Sequence, residues 1–166
     1  AVPRKEDDRL ITGKGRFTDD FNAAGQAYVA MVRSTYPHAK ILSIDTDAAA
    51  SMPGVLGVFI GADCKGDGLG VVAHSPVPST RTDLKLTSPT GGDIFVGPQE
   101  LLPENKVRFV GEAVAMVVAK SRCEALDAAE AVFVDYEALE SVSDSEAAAA
   151  PGAPVVWEEV PDNICC

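Results

Sequence analysis

Apolar and polar positions alternate in some stretches of this chain and run unbroken in others, and the two patterns mark out its elements. Residues 26–33 (QAYVAMVR) place Tyr28, Ala30 and Val32 on one face and Val29 and Met31 on the other, which is the two-residue period of a strand. Ser34-Thr35-Tyr36-Pro37 follows as a turn, because the residue before a proline is driven out of the helical region. Residues 40–45 read as a second strand. Asp45 or Thr46 then caps a short helix over 47–52, which Pro53-Gly54 ends. The unbroken apolar run VLGVFI at 55–60 has the pattern of a buried strand, and Gly61-Ala62-Asp63 closes this first strand–helix–strand unit.

From residue 64 to residue 105 the periodicity fades into Gly, Pro, Ser, Thr and Asp, with 71–73 and 93–96 as candidate short strands. A stretch of this length without a clear element marks a functional excursion or a poorly ordered loop. The second unit is sharper. Residues 107–119 (VRFVGEAVAMVVA) read as a short strand, a turn at Gly111 and a strongly apolar strand. Gly111 sits where a positive φ or a close backbone approach is expected, and glycine takes either without strain. Ser121 and Glu124 form an S-x-x-E box opening a helix over 121–131, and a strand follows at 132–136. Ala125, Leu126 and Ala129 share the face expected to meet the sheet, with Glu124, Asp127 and Glu130 toward water. Ser143 and Glu146 repeat the box before the alanines at 147–150, and 155–157 is a candidate edge strand. Residues 1–25, centred on Gly13-Lys14-Gly15, read as an extended arm. The expected class is α+β: two β-α-β-like halves around a long irregular insert, with helices on one side of a mixed sheet.

Charge removes several function classes. The net charge of −11 is uneven, with 13 acids and 4 bases from residue 101 onward against 12 and 10 before it. That balance opposes nucleic-acid binding, whose phosphates call for a basic surface. The acidic half reads as a solvated face or a contact for a basic partner subunit. No apolar run approaches the ~18–20 residues of a membrane span, and no signal-peptide pattern opens the chain, so a cytoplasmic setting is expected. Cys64, Cys123, Cys165 and Cys166 form neither a C-x-x-C pair nor a zinc spacing with His38 or His74, so reduced thiols and no metal site are expected.

No catalytic motif stands out. Gly13-x-Gly15 lacks a third glycine and a following helix, and Gly66, Gly68 and Gly70 lack the flanking strand and helix of a phosphate loop. His74 beside Ser75 has no G-x-S-x-G context. The pairs Glu158-Glu159 and Asp19-Asp20 are merely adjacent in sequence.

Four motifs in order do carry a resemblance. They are RLITGKGRFTDD at 9–20, VRSTYPHAKI at 32–41, PGV at 53–55 leading to Ile60-Gly61-Ala62-Asp63, and VRFVGEAVAMVVAKSRCEALDAAEAVFVDYEAL at 107–139. Together they resemble the N-terminal α/β hammerhead domain of the molybdenum hydroxylases, the family of xanthine dehydrogenase, aldehyde oxidase and the aerobic carbon monoxide dehydrogenase large subunit. Thr35 and Ala113 stand where that family often has proline, which bears on turn rigidity only. The resemblance implies an arm at 1–25, the hammerhead domain at 26–160, and at 161–166 the start of a linker toward molybdopterin-binding domains.

It further implies a parent enzyme that hydroxylates an aldehyde, an N-heterocycle or a similar small substrate with oxygen from water. Molybdenum–molybdopterin would lie on further domains of the same large subunit, and [2Fe-2S] clusters and FAD on other domains or subunits. This domain would be scaffold, without catalytic, cofactor-binding or metal residues. In the resembled enzymes the loop before the V-x-F-V-G strand nears the substrate funnel, which places Ile94 and Phe95 as candidate funnel residues. The other reading of the pair is a hydrophobic anchor for the insert. The alternative to an enzyme part is a free-standing binding or assembly module with the same fold.

Overall fold

The computed structural model describes residue 2, residues 4–73 and residues 86–166 of the protein. In chain order its elements are α1 (Asp7–Ile11), β1 (Tyr28–Arg33), β2 (Ala39–Asp45), α2 (Asp47–Ala50), β3 (Val55–Ile60), α3 (Gly61–Gly66), β4 (Lys106–Val107), β5 (Ala113–Ala119), α4 (Arg122–Glu130), β6 (Phe133–Ala138) and α5 (Ser145–Ala148). A 3-10 turn at Thr18–Asp20 interrupts the N-terminal segment, which is thus not extended throughout.

The strands form two three-stranded sheets, ordered β1-β5-β3 and β4-β2-β6, and every pairing is antiparallel. The α+β class and both strand–helix–strand connections of the sequence reading are present. Each connection, however, crosses between sheets: β2-α2-β3 leads from the second sheet to the first, and β5-α4-β6 leads back. A single mixed sheet is therefore replaced by two sheets sharing one core.

That core lies on the inner face of the first sheet. Ala115 and Val117 of β5 meet Ala49 of α2 and Ala128 of α4, with Val55, Val58 and Ile60 of β3 around them. Ala30, Ala119 and Ala125 bring α4 close to β1 and β5, since only methyl groups stand between the backbones. Val107, Val114 and Ala39 continue the core toward the second sheet, beside Ile41, Ile44 and Tyr136.

Local chemistry accounts for the helix starts. The Ser121 hydroxyl accepts the Glu124 N–H at 3.3 Å and donates to the Glu124 carboxylate at 2.8 Å, closing α4's first turn. Gly54, at φ +81°, lies against that carboxylate, and its carbonyl accepts the Lys120 N–H at 2.9 Å. At α5 the capping group is Asp144, whose carboxylate accepts the Ala147 N–H at 2.8 Å, and not Ser143. An Asp accepts that bond as well as a Ser does, and a one-residue shift suffices to swap them.

Other expectations are corrected. β3 is an edge strand and not a buried one, with Leu56 56% and Phe59 39% exposed. Leu126 points away from the sheet at 51% exposure, and Ala128 takes its place. α2 ends at Ala50, short of residue 52. Helix α3 forms where the sequence reads as the start of a loop, because the Asp63 carboxylate accepts the Ile60 N–H at 2.8 Å and starts a turn. Residues 93–96 and 155–157 are not strands, and near 71–73 there is only an isolated bridge from Val72 to Gln99.

The insert leaves and returns at one place. Gly61 abuts the backbone of residues 102–104, Lys65 pairs with Glu104 at 2.9 Å, and the Asn105 carbonyl accepts the Ile41 N–H at 2.8 Å.

Candidate functional site

The turn between β4 and β5 is tied on both sides to the end of β1. The Gly111 N–H donates to the Ser34 carbonyl at 2.8 Å, and the Ser34 N–H returns to the Glu112 carbonyl at 2.8 Å. Arg33 Nη1 donates to the Gly111 carbonyl at 2.7 Å, and the Glu112 carboxylate accepts the Arg108 N–H at 2.6 Å. Gly111 itself adopts φ +87°, and a Cβ there would meet nothing within 4 Å. Backbone conformation alone penalises a side chain at this position. Gly111→Val is expected to lower stability by roughly 1–3 kcal/mol, and Gly111→Asn by less because Asn tolerates left-handed backbone. Thermal melting of the two variants checks the order; equal melting of both and the parent removes the argument.

Beside this turn opens a cleft of about 460 Å³, walled by Arg33, Glu100, Arg108, Phe109, Glu112 and Trp157 among others. Trp157 is its organising side chain. The Arg108 guanidinium sits 3.7 Å above the indole, and the Phe95 ring packs at 5.6 Å between centroids with the planes tilted by 58°. Gly97 approaches so closely that a Cβ would stand 2.9 Å from the indole. Lys106 pairs with Glu158 next to the tryptophan. Asn163 anchors the segment further: its amide donates to the carbonyls of Ala148 at 3.0 Å and Pro154 at 2.9 Å, and its oxygen accepts the Val156 N–H at 3.1 Å. Asn163 reaches these partners from φ +57°, a region asparagine visits readily.

Burial pushes the Glu112 carboxyl above the usual carboxylate range, while the Arg108 hydrogen bond and charge pull it down. Burial likewise raises the Tyr136 phenol, and the Lys106 hydrogen bond holds the exposed Glu158 carboxyl below its ordinary value. The Glu112 sign is definite. The folded state binds this proton more tightly than the unfolded one, so its contribution to stability is lost as pH rises from the ordinary carboxylate value through the raised one. Glu112→Gln keeps an acceptor for Arg108 and removes the titration. Its melting temperature is expected to fall less than the parent's across that interval, and parallel curves would contradict it.

Ile94 and Phe95 are both half-buried, and neither is among the cleft's walls. Phe95 reaches the cleft only through Trp157. Gly111 does line it. The glycines of the N-terminal segment have a structural task, since Gly13 at φ +69° ends α1 while the Lys14 N–H donates to the Arg9 carbonyl at 2.9 Å. His74 and Ser75 lie outside the described residues.

No motif or periodic pattern joins Arg108, Glu112 and Trp157 in the sequence, where 45 and more positions separate the tryptophan from the other two. The one available signal was that the chain has a single Trp. Among the described residues no three His, Cys, Asp or Glu side chains converge as a metal-ligand set, and the four cysteines are free thiols. No helix of the described residues is long and apolar enough to cross a membrane. Stacking surface, two guanidiniums and two carboxylates equip the cleft to hold a small molecule or a chain segment, and they assemble no nucleophile with a base.

The family described as aldehyde oxidase and xanthine dehydrogenase, a/b hammerhead domain, matches residues 12–140. The nicotine 6-hydroxylase large subunit of Paenarthrobacter nicotinovorans is 40% identical over 163 residues, covering 98% of this chain and 18% of that protein. The carbon monoxide dehydrogenase large chain of Afipia carboxidovorans is 38% identical over 161 residues, covering 97% and 18%. Among solved structures, quinoline 2-oxidoreductase from Pseudomonas putida 86 superposes with a TM-score of 0.70 at 41% identity, over 89% of this chain and 17% of that one. The Cu,Mo-CO dehydrogenase superposes with a TM-score of 0.73 at 36% identity, over 99% and 18%. The chain thus spans less than a fifth of the length of these relatives.

Proposed function

The chain belongs to the aldehyde oxidase and xanthine dehydrogenase family as its a/b hammerhead domain, and from that membership we propose that it is the scaffold portion of a molybdopterin-dependent oxidoreductase large subunit. One observation carries the reading: nearly the whole chain aligns, at 40% identity, within a single large subunit. The substrate class is an aldehyde, an N-heterocycle or a similar small molecule. The partners are the molybdopterin-binding domains of the same subunit together with iron–sulfur and FAD subunits, in a cytoplasmic setting that keeps the thiols reduced.

The residues in hand do not fit the cofactor. Among those described, no three His, Cys, Asp or Glu side chains converge, the Arg108 guanidinium lies over the Trp157 indole, and the Glu112 carboxylate is held by the Arg108 backbone N–H. The domain's part in the reaction is therefore positioning. Ile94 and Phe95 act on the substrate route, Phe95 by backing Trp157. A residue acting through shape discriminates substrates by about 1–3 kcal/mol without touching the chemistry.

Two measurements test this. The complete gene product is purified and assayed for molybdenum and for oxidation of aldehydes and N-heterocycles. A product that ends with this domain and carries no molybdenum returns the chain to the free-standing module. In the active enzyme, Phe95→Ala and Ile94→Ala are compared by kcat/KM on a small and a bulky substrate. A changed ratio with stability intact supports the route, whereas an equal loss for both substrates makes the pair an anchor.

A further inference from the structure

The first sheet is apolar on both faces. Its inner face packs on α2 and α4, and the one charged residue of its three strands is Arg33, at the end of β1. There Met31, Met116 and Phe59 align in one row across β1, β5 and β3, and Val29, Val118 and Gly57 in the next. Leu56 adds a side chain at the irregularity between Val55 and Gly57. Val29 is 55%, Met31 37%, Leu56 56% and Phe59 39% exposed. The second sheet shows the contrast expected of a solvated antiparallel face: its outer positions include Lys40, Asp135 and Glu137, with Lys40 and Glu137 ion-paired at 2.9 Å. Phe133, 66% exposed, shares that outer face, so the two sheets differ in the charged positions they carry and not in having exposed apolar side chains. The unbroken apolar runs of β3 and β5 are those of strands covered on both sides, while among the described residues only one side is covered. A contiguous apolar patch of this kind marks a docking surface.

Resting on the reading above, we infer that the outer face of β1-β5-β3 is an intramolecular interface, and that its occupant is an apolar, charge-poor surface from the remainder of the large subunit. Two observations select that occupant. The relatives that contain this domain hold it within chains more than five times longer, so a covering layer is available in the same polypeptide. A second copy of the chain would bring its own net charge of −11 against an equal one, which opposes face-to-face pairing.

The test is thiol labelling of Met31→Cys and Phe59→Cys, in the 166-residue chain and in the complete large subunit. It is read peptide by peptide by mass spectrometry, so that Cys64, Cys123, Cys165 and Cys166 are scored separately. Circular dichroism verifies the fold of each variant, and Val29→Cys replaces either one that fails to fold. Both positions are expected to react as exposed thiols in the chain and at least tenfold more slowly in the subunit. Equal rates in the two settings overturn the inference. Protection that arises in the chain alone and grows with its concentration also overturns it, assigning the face to a second copy. Molybdenum is measured on the same subunit preparation. Protection without molybdenum sinks the enzyme reading and keeps this interface, and molybdenum with unprotected thiols does the reverse.

Discussion

Replacing Trp157 by alanine is expected to cost about 3 kcal/mol, near the lower end of the range for deleting a large aromatic from a packed site. Three contacts go at once: the Phe95 ring, the Arg108 guanidinium 3.7 Å above the indole, and the close approach of Gly97. The tryptophan is only half-buried, so part of the transfer free energy is absent, while the lost cation–π contact adds about 0.5–1 kcal/mol. For a domain of this size the midpoint should drop by roughly 6–12 °C. Trp157→Phe retains a ring for Phe95 and Arg108 and should lose less than half as much. Calorimetry measures both. Limited proteolysis adds a local readout, because the alanine variant should release residues 150–166 before the rest of the domain is cut. An alanine variant melting within a degree or two of the parent would show that Trp157 does not hold the cleft wall.

Gly61→Val is expected to be comparably damaging for a different reason. A Cβ at Gly61 would stand 2.7 Å from the Leu102 carbonyl oxygen and 3.0 Å from the Glu104 nitrogen, both backbone atoms that cannot rotate aside. Leu102 and Pro103 are buried, so the strand of chain that must yield is itself packed. Overpacking of this sort costs about 1–3 kcal/mol, and the two branch methyls of valine place it at the top of that interval, with Gly61→Ala lower. Urea denaturation ranks the three proteins. Hydrogen exchange should rise at residues 101–105 in both variants. If valine and alanine are equally stable, the contact is looser than the geometry requires.

How far the sequence disclosed this architecture depended on whether the deciding interaction was local. The faces of β1, the Ser121 cap, the end of α4 and the turn at Gly111 follow from periodicity and turn chemistry within a few residues. The partition of strands between two sheets does not, since β2-α2-β3 looks the same in one sheet as across two. β3 misled for an instructive reason: its apolar run promises burial on both faces, and one of those faces meets no other described element. The cleft was least legible of all. Arg108 and Trp157 are brought together only by the irregular C-terminal segment, whose course is set by Asn163 in a left-handed conformation. No periodic pattern encodes such a course.

The pairing scheme also dictates the order in which the polypeptide can acquire structure. Tyr28 is bonded across to Ala119 and Ala39 to Ala138, partners most of the chain's length apart, and β1, β2 and β3 make no pairing with one another. During synthesis from the N-terminus β1 and β3 must wait, unpaired, until β5 emerges, and β2 gains only the two-residue β4 before β6 follows. Contacts so distant in sequence slow folding, and open strand edges in the meantime invite association. The domain therefore condenses late and all together, and a nascent chain halted before residue 113 has no first sheet to build.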